Sequence, residues 1–330
     1  MALSDSLANY FGFEEHGTTL RTEVLAGLTT FLTMSYIVVV NPSILVGIPG
    51  EKPGIVVPGY GPGEVVSMLA VVTIIAAAVA TLIMALYANR PFGQAPGLGL
   101  NAFFAFTVVG ALGIPWQTAL AAVVVEGIIF IALTAAGARE YIIRAFPEPV
   151  KFAVGTGIGL FLAIIGLQAM GIVVDDPATL VQLGPVATDP VAIVSVVGLL
   201  FTFALYARGV RGSIILGIIV TTALGWVVAN AGLVSGDAAG RLVAGGASTT
   251  YDITPLVGAF VTGVADIEAF TFALVVFTFF FVDFFDTAGT LTGVAQIAGF
   301  LDEDGNLPDI DKPLMADAVG TTVGGMLGTS

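Results

Sequence analysis

The stretch Asn89-Arg90-Pro91-Phe92-Gly93-Gln94-Ala95-Pro96-Gly97-Leu98-Gly99-Leu100-Asn101-Ala102-Phe103-Phe104 decides how the rest of the chain is read. It lies between two long apolar segments. It opens as a loop, with Asn, Arg and Pro, and runs into an uncharged tail from Ala105 to Leu112. Pro96, Gly97 and Gly99 disfavour a regular helix. The tail covers only about half a bilayer at about 1.5 Å per residue. Unwound backbone is tolerated at membrane depth only where it lines a cavity or is buried in protein. A short, Gly/Pro-interrupted apolar segment therefore points to a binding site in a membrane carrier. The alternatives are a re-entrant loop or a kinked helix with a packing role.

Composition sets the class around that stretch. The chain is 57% hydrophobic and 10% charged, with mean hydropathy +1.01, against about 25% charged residues in soluble domains. This is the composition of a polytopic helical membrane protein. Cysteine is absent, so there is neither a disulfide framework nor a thiolate metal site. The single histidine, His16, precedes the first span and reads as a surface residue, which excludes histidine-ligated metal or haem within the membrane. With no nucleophile, metal-ligand set or cofactor motif, neither an enzyme nor a resident cofactor is expected. Residues 1–22 are mixed and acidic, unlike a cleaved signal peptide. The formal net charge is -14 and the pI about 4.2. Much of the acid sits in loops such as Asp175-Asp176 and Asp302-Glu303-Asp304. That balance suggests a halophilic source, and no nucleic-acid partner is expected.

The hydropathy pattern predicts an interfacial helix over Leu7–Phe13 and a first span from Val24 to Val40, ending at Asn41-Pro42. Thr29, Thr30, Thr33 and Ser35 in that span either bond back to the backbone or line a polar cavity. Further spans are expected at 65–88, at the broken segment (helical over 101–112), and at 116–136, 150–173, 191–206, 214–231 and 270–298. A last span begins near Met315 and is still running at Gly328-Thr329-Ser330. A short interfacial helix fits 256–265. Gly155-x-Gly157-x-Gly159 falls inside a span rather than after a strand, so it reads as close helix packing and not as a nucleotide loop. With the N-terminus inside, Arg21, Arg90, Arg139, Arg144, Lys151, Arg208, Arg211 and Lys312 all fall on the cytoplasmic side, and only Lys52 and Arg241 outside. This holds only if the broken segment counts as one crossing.

Three intramembrane acids stand out. Glu126 lies in Val123-Val124-Val125-Glu126-Gly127-Ile128, where a carboxylate costs about 2.5–3.5 kcal/mol on insertion scales unless it is protonated, paired or wet. Asp283 and Asp286 lie in Phe277-Thr278-Phe279-Phe280-Phe281-Val282-Asp283-Phe284-Phe285-Asp286-Thr287-Ala288-Gly289-Thr290, three residues apart on one helix face. Their span holds no Lys, Arg or His. Two such acids raise one another's affinity for a proton, which suits proton coupling. A carboxylate is also a natural acceptor for the N–H edge of a purine. The alternative is a structural pair capped by Thr287 and Thr290.

Four stretches together carry a resemblance: Asn41-Pro42-Ser43-Ile44-Leu45, Ala95-Pro96-Gly97-Leu98-Gly99-Leu100-Asn101-Ala102-Phe103-Phe104, Gly155-x-Gly157-Ile158-Gly159-Leu160-Phe161, and Phe281-Val282-Asp283-Phe284-Phe285-Asp286-Thr287-Ala288-Gly289-Thr290-Leu291. Over essentially the whole chain it resembles the azaguanine-like purine permeases, within the nucleobase–cation symporter superfamily that also holds xanthine and uracil permeases.

The resemblance implies an all-α polytopic transporter of seven plus seven segments in inverted repeat, with core and gate domains. On that pattern 1–22 is a cytoplasmic N-terminal segment, 23–137 the core (segments 1–4), 138–231 the gate (segments 5–7), 232–268 an extracellular loop and 269–330 core again (segments 8–9). The chain stops before segment 10, so the second repeat is expected to be truncated and part of the site missing. The implied substrate-binding residues are Asn101, Ala102, Phe103 and Asp283, with Asp283 and Asp286 in proton coupling and Glu126 a structural acid. The half helix near Asn101 would direct its N–H groups at the base. The implied activity is uptake of hypoxanthine, adenine or guanine with a proton, or with sodium as the alternative, at the plasma membrane, by a homodimer. Xanthine or uracil on the same fold, and a non-transporting fragment, remain alternatives.

Overall fold

The computed structural model describes residues 3–138, 148–210, 212–242, 248–264, 268–303 and 307–330. Arg139, Arg144, Phe146, Pro147, Arg211, Ala265 and Asp304 therefore lie outside the described residues. The chain forms two compact units, one of Met1–Ile158 with Ser248–Ser330 and one of Gly159–Ala247.

The first unit begins with α1 (Leu3–Tyr10), slightly ahead of the expected interfacial helix, then α2 (Leu20–Met34) and α3 (Ile37–Leu45). The first span does not end at Asn41-Pro42. It breaks earlier, at Ser35-Tyr36, and α3 runs through Pro42. Pro42 is the sixth residue of α3, past the four free N–H groups of the first turn, so it removes the donor that would face the Val38 carbonyl. Thr29, Thr33 and Ser35 bond back to the carbonyls of Leu25, Thr29 and Leu32 at 2.8, 2.7 and 2.9 Å, the plainer of the two readings. Next come α4 (Pro62–Leu86), the broken segment with α5 (Leu98–Ala102), and α6 (Trp116–Ala135). Beyond the second unit lie a 3-10 turn (Ala259–Val264), within the expected interfacial helix, then the long α11 (Ala269–Ala298) and α12 (Asp311–Leu327). The last span is not still running at the final residues. It starts four residues before Met315, and Gly328, at φ 105°, closes it in a left-handed cap.

Helix α12 packs against both α4 and α6, and small residues make this possible. A Cβ on Gly127 of α6 would stand 2.4 Å from Thr322 Oγ1, one on Gly320 2.8 Å from the Cβ of Ala80, and one on Gly325 2.8 Å from Val124 Cγ2. Lipid is as apolar as leucine, so close backbone approach rather than hydrophobicity holds such helices together. Beside this seam, Met84, Phe92, Phe130, Phe284, Leu307 and Leu314 form a buried cluster, in which Phe130 stacks on Phe280 at 4.5 Å. The outer faces remain apolar: Val24, Phe31, Leu82 and Ile297 all stand exposed.

The second unit holds most of α7 (Glu148–Ala169), a hairpin of β1 (Val173–Asp176) and β2 (Leu180–Leu183), then α8 (Pro190–Ala207), α9 (Ser213–Asn230) and α10 (Asp237–Leu242). The hairpin is a correction to the all-α expectation. It pairs Val173 with Leu183 and Asp176 with Leu180, and it ends the fifth span short of Val173. The Asp176 carboxyl closes the turn by accepting from the Thr179 N–H, the Thr179 hydroxyl and the Ala178 N–H, which hold it below its ordinary range. Gly157 and Gly159 face open space among the described residues, so no close packing is made at these two glycines there. It is made instead between α8 and α9. A Cβ on Gly198 would lie 2.1 Å from Thr221 Oγ1, and one on Gly217 2.0 Å from Thr202 Oγ1.

Among the described residues six stretches are long and apolar enough to cross a bilayer: Leu20–Leu45, Pro62–Leu86, Trp116–Ala135, Pro190–Ala207, Ser213–Asn230 and Ala269–Ala298. The sequence pattern had nine. The broken segment is short by nature, α7 begins beside residues outside the description, and α12 reaches only 17 residues and carries Asp311, Lys312 and Asp317.

Candidate functional site

The break is built as its sequence demands. Residues 89–97 carry no helix, with Asn89 at φ 49°. One hydroxyl satisfies both backbone groups of Gln94. Thr81 Oγ1 in α4 accepts from the Gln94 N–H at 2.9 Å and donates to its carbonyl at 3.2 Å, the kind of internal partner that non-helical backbone needs at membrane depth. Helix resumes at Leu98, three residues before the expected start and with Gly99 inside it, as α5, and continues as a π-helix over Phe103–Ala111.

Two polar clusters meet this segment. The first surrounds Asn101, which is fully buried. Its Nδ2 donates to Asn41 Oδ1, and its Oδ1 accepts from Ser330 Oγ. Asn41 of α3, also fully buried, donates to Thr73 Oγ1 at 2.7 Å and to Thr329 Oγ1 at 2.9 Å. Thr73 donates to the Leu69 carbonyl at 2.6 Å. Each amide left without these partners would carry the full cost of desolvation.

The second cluster hangs from α11. Asp283 is 4% exposed. Thr287 Oγ1 lies 3.3 Å from Asp283 Oδ1 and 2.9 Å from Asp317 Oδ2 of α12. Thr290 instead bonds back to the Asp286 carbonyl at 2.7 Å. Asp286 approaches the break itself, for a Cβ on Gly97 would sit 3.0 Å from its Oδ2. Aromatic contact ties the two elements. Phe103, half-buried, sets its ring edge-on against Phe279 of α11 at 5.1 Å, and Phe104 meets the same ring at 6.4 Å.

The site thus brings Phe103 to α11 and Asp286 to the start of α5, while the side chains of Asn101 and Asp283 belong to separate hydrogen-bonded clusters. Ala102 is buried. Glu126 is fully buried in α6, next to Gly127 at the seam with α12. Sequence reasoning missed Asn41, Thr73 and Asp317. Asp317 carried a usable signal, an acid among small apolar residues inside the expected last span. Asn41 was hidden by its proline neighbour, and Thr73 looked like any helix hydroxyl. Chemically, a carboxylate held in an apolar interior accepts strongly from N–H donors.

The sequence model of the permease family (Xan_ur_permease) matches residues 21–330. Among curated proteins, a putative permease of Methanocaldococcus jannaschii is 43% identical over 97% of the chain and 68% of its own length. The guanine/hypoxanthine permease PbuG of Bacillus subtilis is 39% identical over 98% of the chain and 70% of its own length. The adenine permease AdeP of Escherichia coli is 37% identical over 98% of the chain and 67% of its own length. Together with the apolar helices, these matches make the protein a multi-pass membrane protein and not an enzyme: the chain belongs to the permease family.

Proposed function

We propose that the protein imports purine nucleobases, namely hypoxanthine, adenine and guanine, by proton symport with alternating access. The observation that carries this reading is the meeting of the broken segment with the acid-bearing helix α11, through Phe103 on Phe279 and Asp286 at Gly97. The relatives named as adenine and guanine/hypoxanthine permeases support the substrate class. In this reading Phe103 stacks on the base, Asn101 and Ala102 form its seat at the helix start, and Asp283 accepts its N–H edge. Asp283 and Asp286 exchange the coupled proton, and Glu126 is a structural acid. Residues 23–137 and 269–330 act as the core and 138–231 as the gate, a reading favoured by the two compact units. The bias of basic residues favours a cytoplasmic N-terminus in the plasma membrane, and the family resemblance favours a homodimer.

The test is uptake of labelled hypoxanthine by the full-length protein in a host lacking purine transport. Saturable uptake is expected, competed by adenine and guanine and collapsed by a protonophore. Asp283→Asn, present at equal level in the membrane, is expected to lose at least about tenfold in uptake, the scale of one charge-assisted hydrogen bond. Competition by uracil or xanthine alone would move the substrate. Dependence on sodium with indifference to the protonophore would move the coupling ion. Normal uptake by Asp283→Asn would remove that carboxylate from the site.

A further inference from the structure

We propose that Asn41 is a positioning residue that fixes the amide of Asn101 in one orientation and so sets the start of the broken helix. The role of that helix in binding rests on the reading above; the orientation does not.

The argument starts from a single proton. The Thr73 hydroxyl has one, and it is given to the Leu69 carbonyl at 2.6 Å. Towards Asn41 the same oxygen can only accept. The Asn41 atom 2.7 Å away must therefore be the NH2 group, which also reaches Thr329 Oγ1 at 2.9 Å. Both of its N–H bonds are then assigned, and Asn41 turns its Oδ1 towards Asn101. Asn101 must answer with its own NH2 group, which leaves its Oδ1 to accept from the Ser330 hydroxyl. A threonine in α4 thus dictates the direction of every bond up to the first turn after Gly97. Asn41, Thr73, Asn101 and Thr329 are all fully buried, so no water can take over a missing bond. The chain from helix carbonyl to Asn101 is directional: a donor is required at position 41 and an acceptor at position 73.

Two substitutions of nearly unchanged shape separate direction from packing. Asn41→Asp removes the donor edge, and Thr73→Val removes the acceptor that orients it. Thr73→Ser keeps the hydroxyl and serves as the conservative control. The probe is a single cysteine, Gly99→Cys, placed where a Cβ meets open space, in a stretch of 330 residues that contains no cysteine. Its rate of labelling by a maleimide reports how well the first turn of α5 is held. It is read in the full-length protein in membranes, against the same protein without that cysteine. Asn41→Asp and Thr73→Val are each expected to speed labelling about tenfold, the factor carried by one lost buried hydrogen bond, while Thr73→Ser stays within about twofold of the parent. In uptake, without the cysteine and at matched membrane levels, the first two are expected to raise KM for hypoxanthine more than they lower the maximal rate.

Parent-level labelling and KM in both Asn41→Asp and Thr73→Val would overturn the assignment. So would equal effects of Thr73→Ser and Thr73→Val, because the methyl rather than the hydroxyl would then matter. If Asn41→Asp fails to reach the membrane, Thr73→Val against Thr73→Ser decides alone. If the parent takes up no purine, the carrier reading fails, and the labelling arm still decides the role of Asn41.

Discussion

Lys52 is the side chain whose charge state is most exposed to test. It sits in the loop after α3 and donates to the carbonyls of Ser43, Ile44 (3.1 Å) and Val46 (3.0 Å), closing the C-terminal end of that helix. Burial pushes its ammonium down to about 8 from 10.5. A lysine whose folded value is depressed gives up its proton sooner in the native state than in the unfolded one. The stability linked to this is fully present above about 10.5 and is lost as pH falls through about 8. Relative to Lys52→Met, the parent is therefore expected to gain thermal stability in detergent as pH rises across that window; a flat difference would refute it. Single residues also mark what sequence could and could not give. Asn101, Asp283, Asp286 and Glu126 announced themselves as polar groups in apolar runs. Asn41 did not, because its role is set by partners 32 and 288 residues away, and no local pattern encodes such distances.

Helices α8 and α9 pack closely at glycines the sequence had not singled out. The glycine triplet at 155–159 promised close packing, yet the tight approach lies at Gly198 and Gly217, each receiving the threonine of the other helix. Each threonine hydroxyl is already bonded to a glycine carbonyl of its own helix, Thr202 to Gly198 at 2.8 Å and Thr221 to Gly217 at 2.7 Å. Neither hydroxyl proton is left for the other helix, so the contact depends on the missing Cβ. Gly198→Ala forces a methyl to within 2.1 Å of Thr221 Oγ1. It is expected to destabilise the protein by about 1–3 kcal/mol, read as a lowered midpoint in detergent unfolding, and Thr221→Ala in the same chain should recover part of the loss. The long spans were legible within one to five residues because apolar length alone defines them. The hairpin at 173–183 and the π-helix at 103–111 were not, because both depend on backbone hydrogen-bond partners rather than on hydropathy.

The whole molecule carries a net charge of -14. Among the described residues Arg241 pairs with Asp189 at 3.3 Å and the exposed Lys312 with Asp309 at 3.6 Å. Self-repulsion on this scale weakens a folded chain, and salt screens it over about 10 Å at 0.1 M and about 3 Å at 1 M. The thermal midpoint in detergent is therefore expected to rise from dilute buffer to molar salt, and an unchanged midpoint would count against any adaptation to salt. Class and family were legible at this scale from composition and four motifs. The seam of α12 with α4 and α6 was not, since glycine and alanine give no signal of what they will face.

That seam has a consequence for biosynthesis. Thr329, which completes the bonding of Asn41, is made 288 residues after it, an interval of about 15–60 s at ordinary rates of translation. Throughout it, the glycine face of α6 and the Asn41 amide must wait in the bilayer for a helix the ribosome has not yet delivered. The nascent chain is then most open to wrong partners and to quality control, and a slow passage through residues 299–310 would prolong the wait.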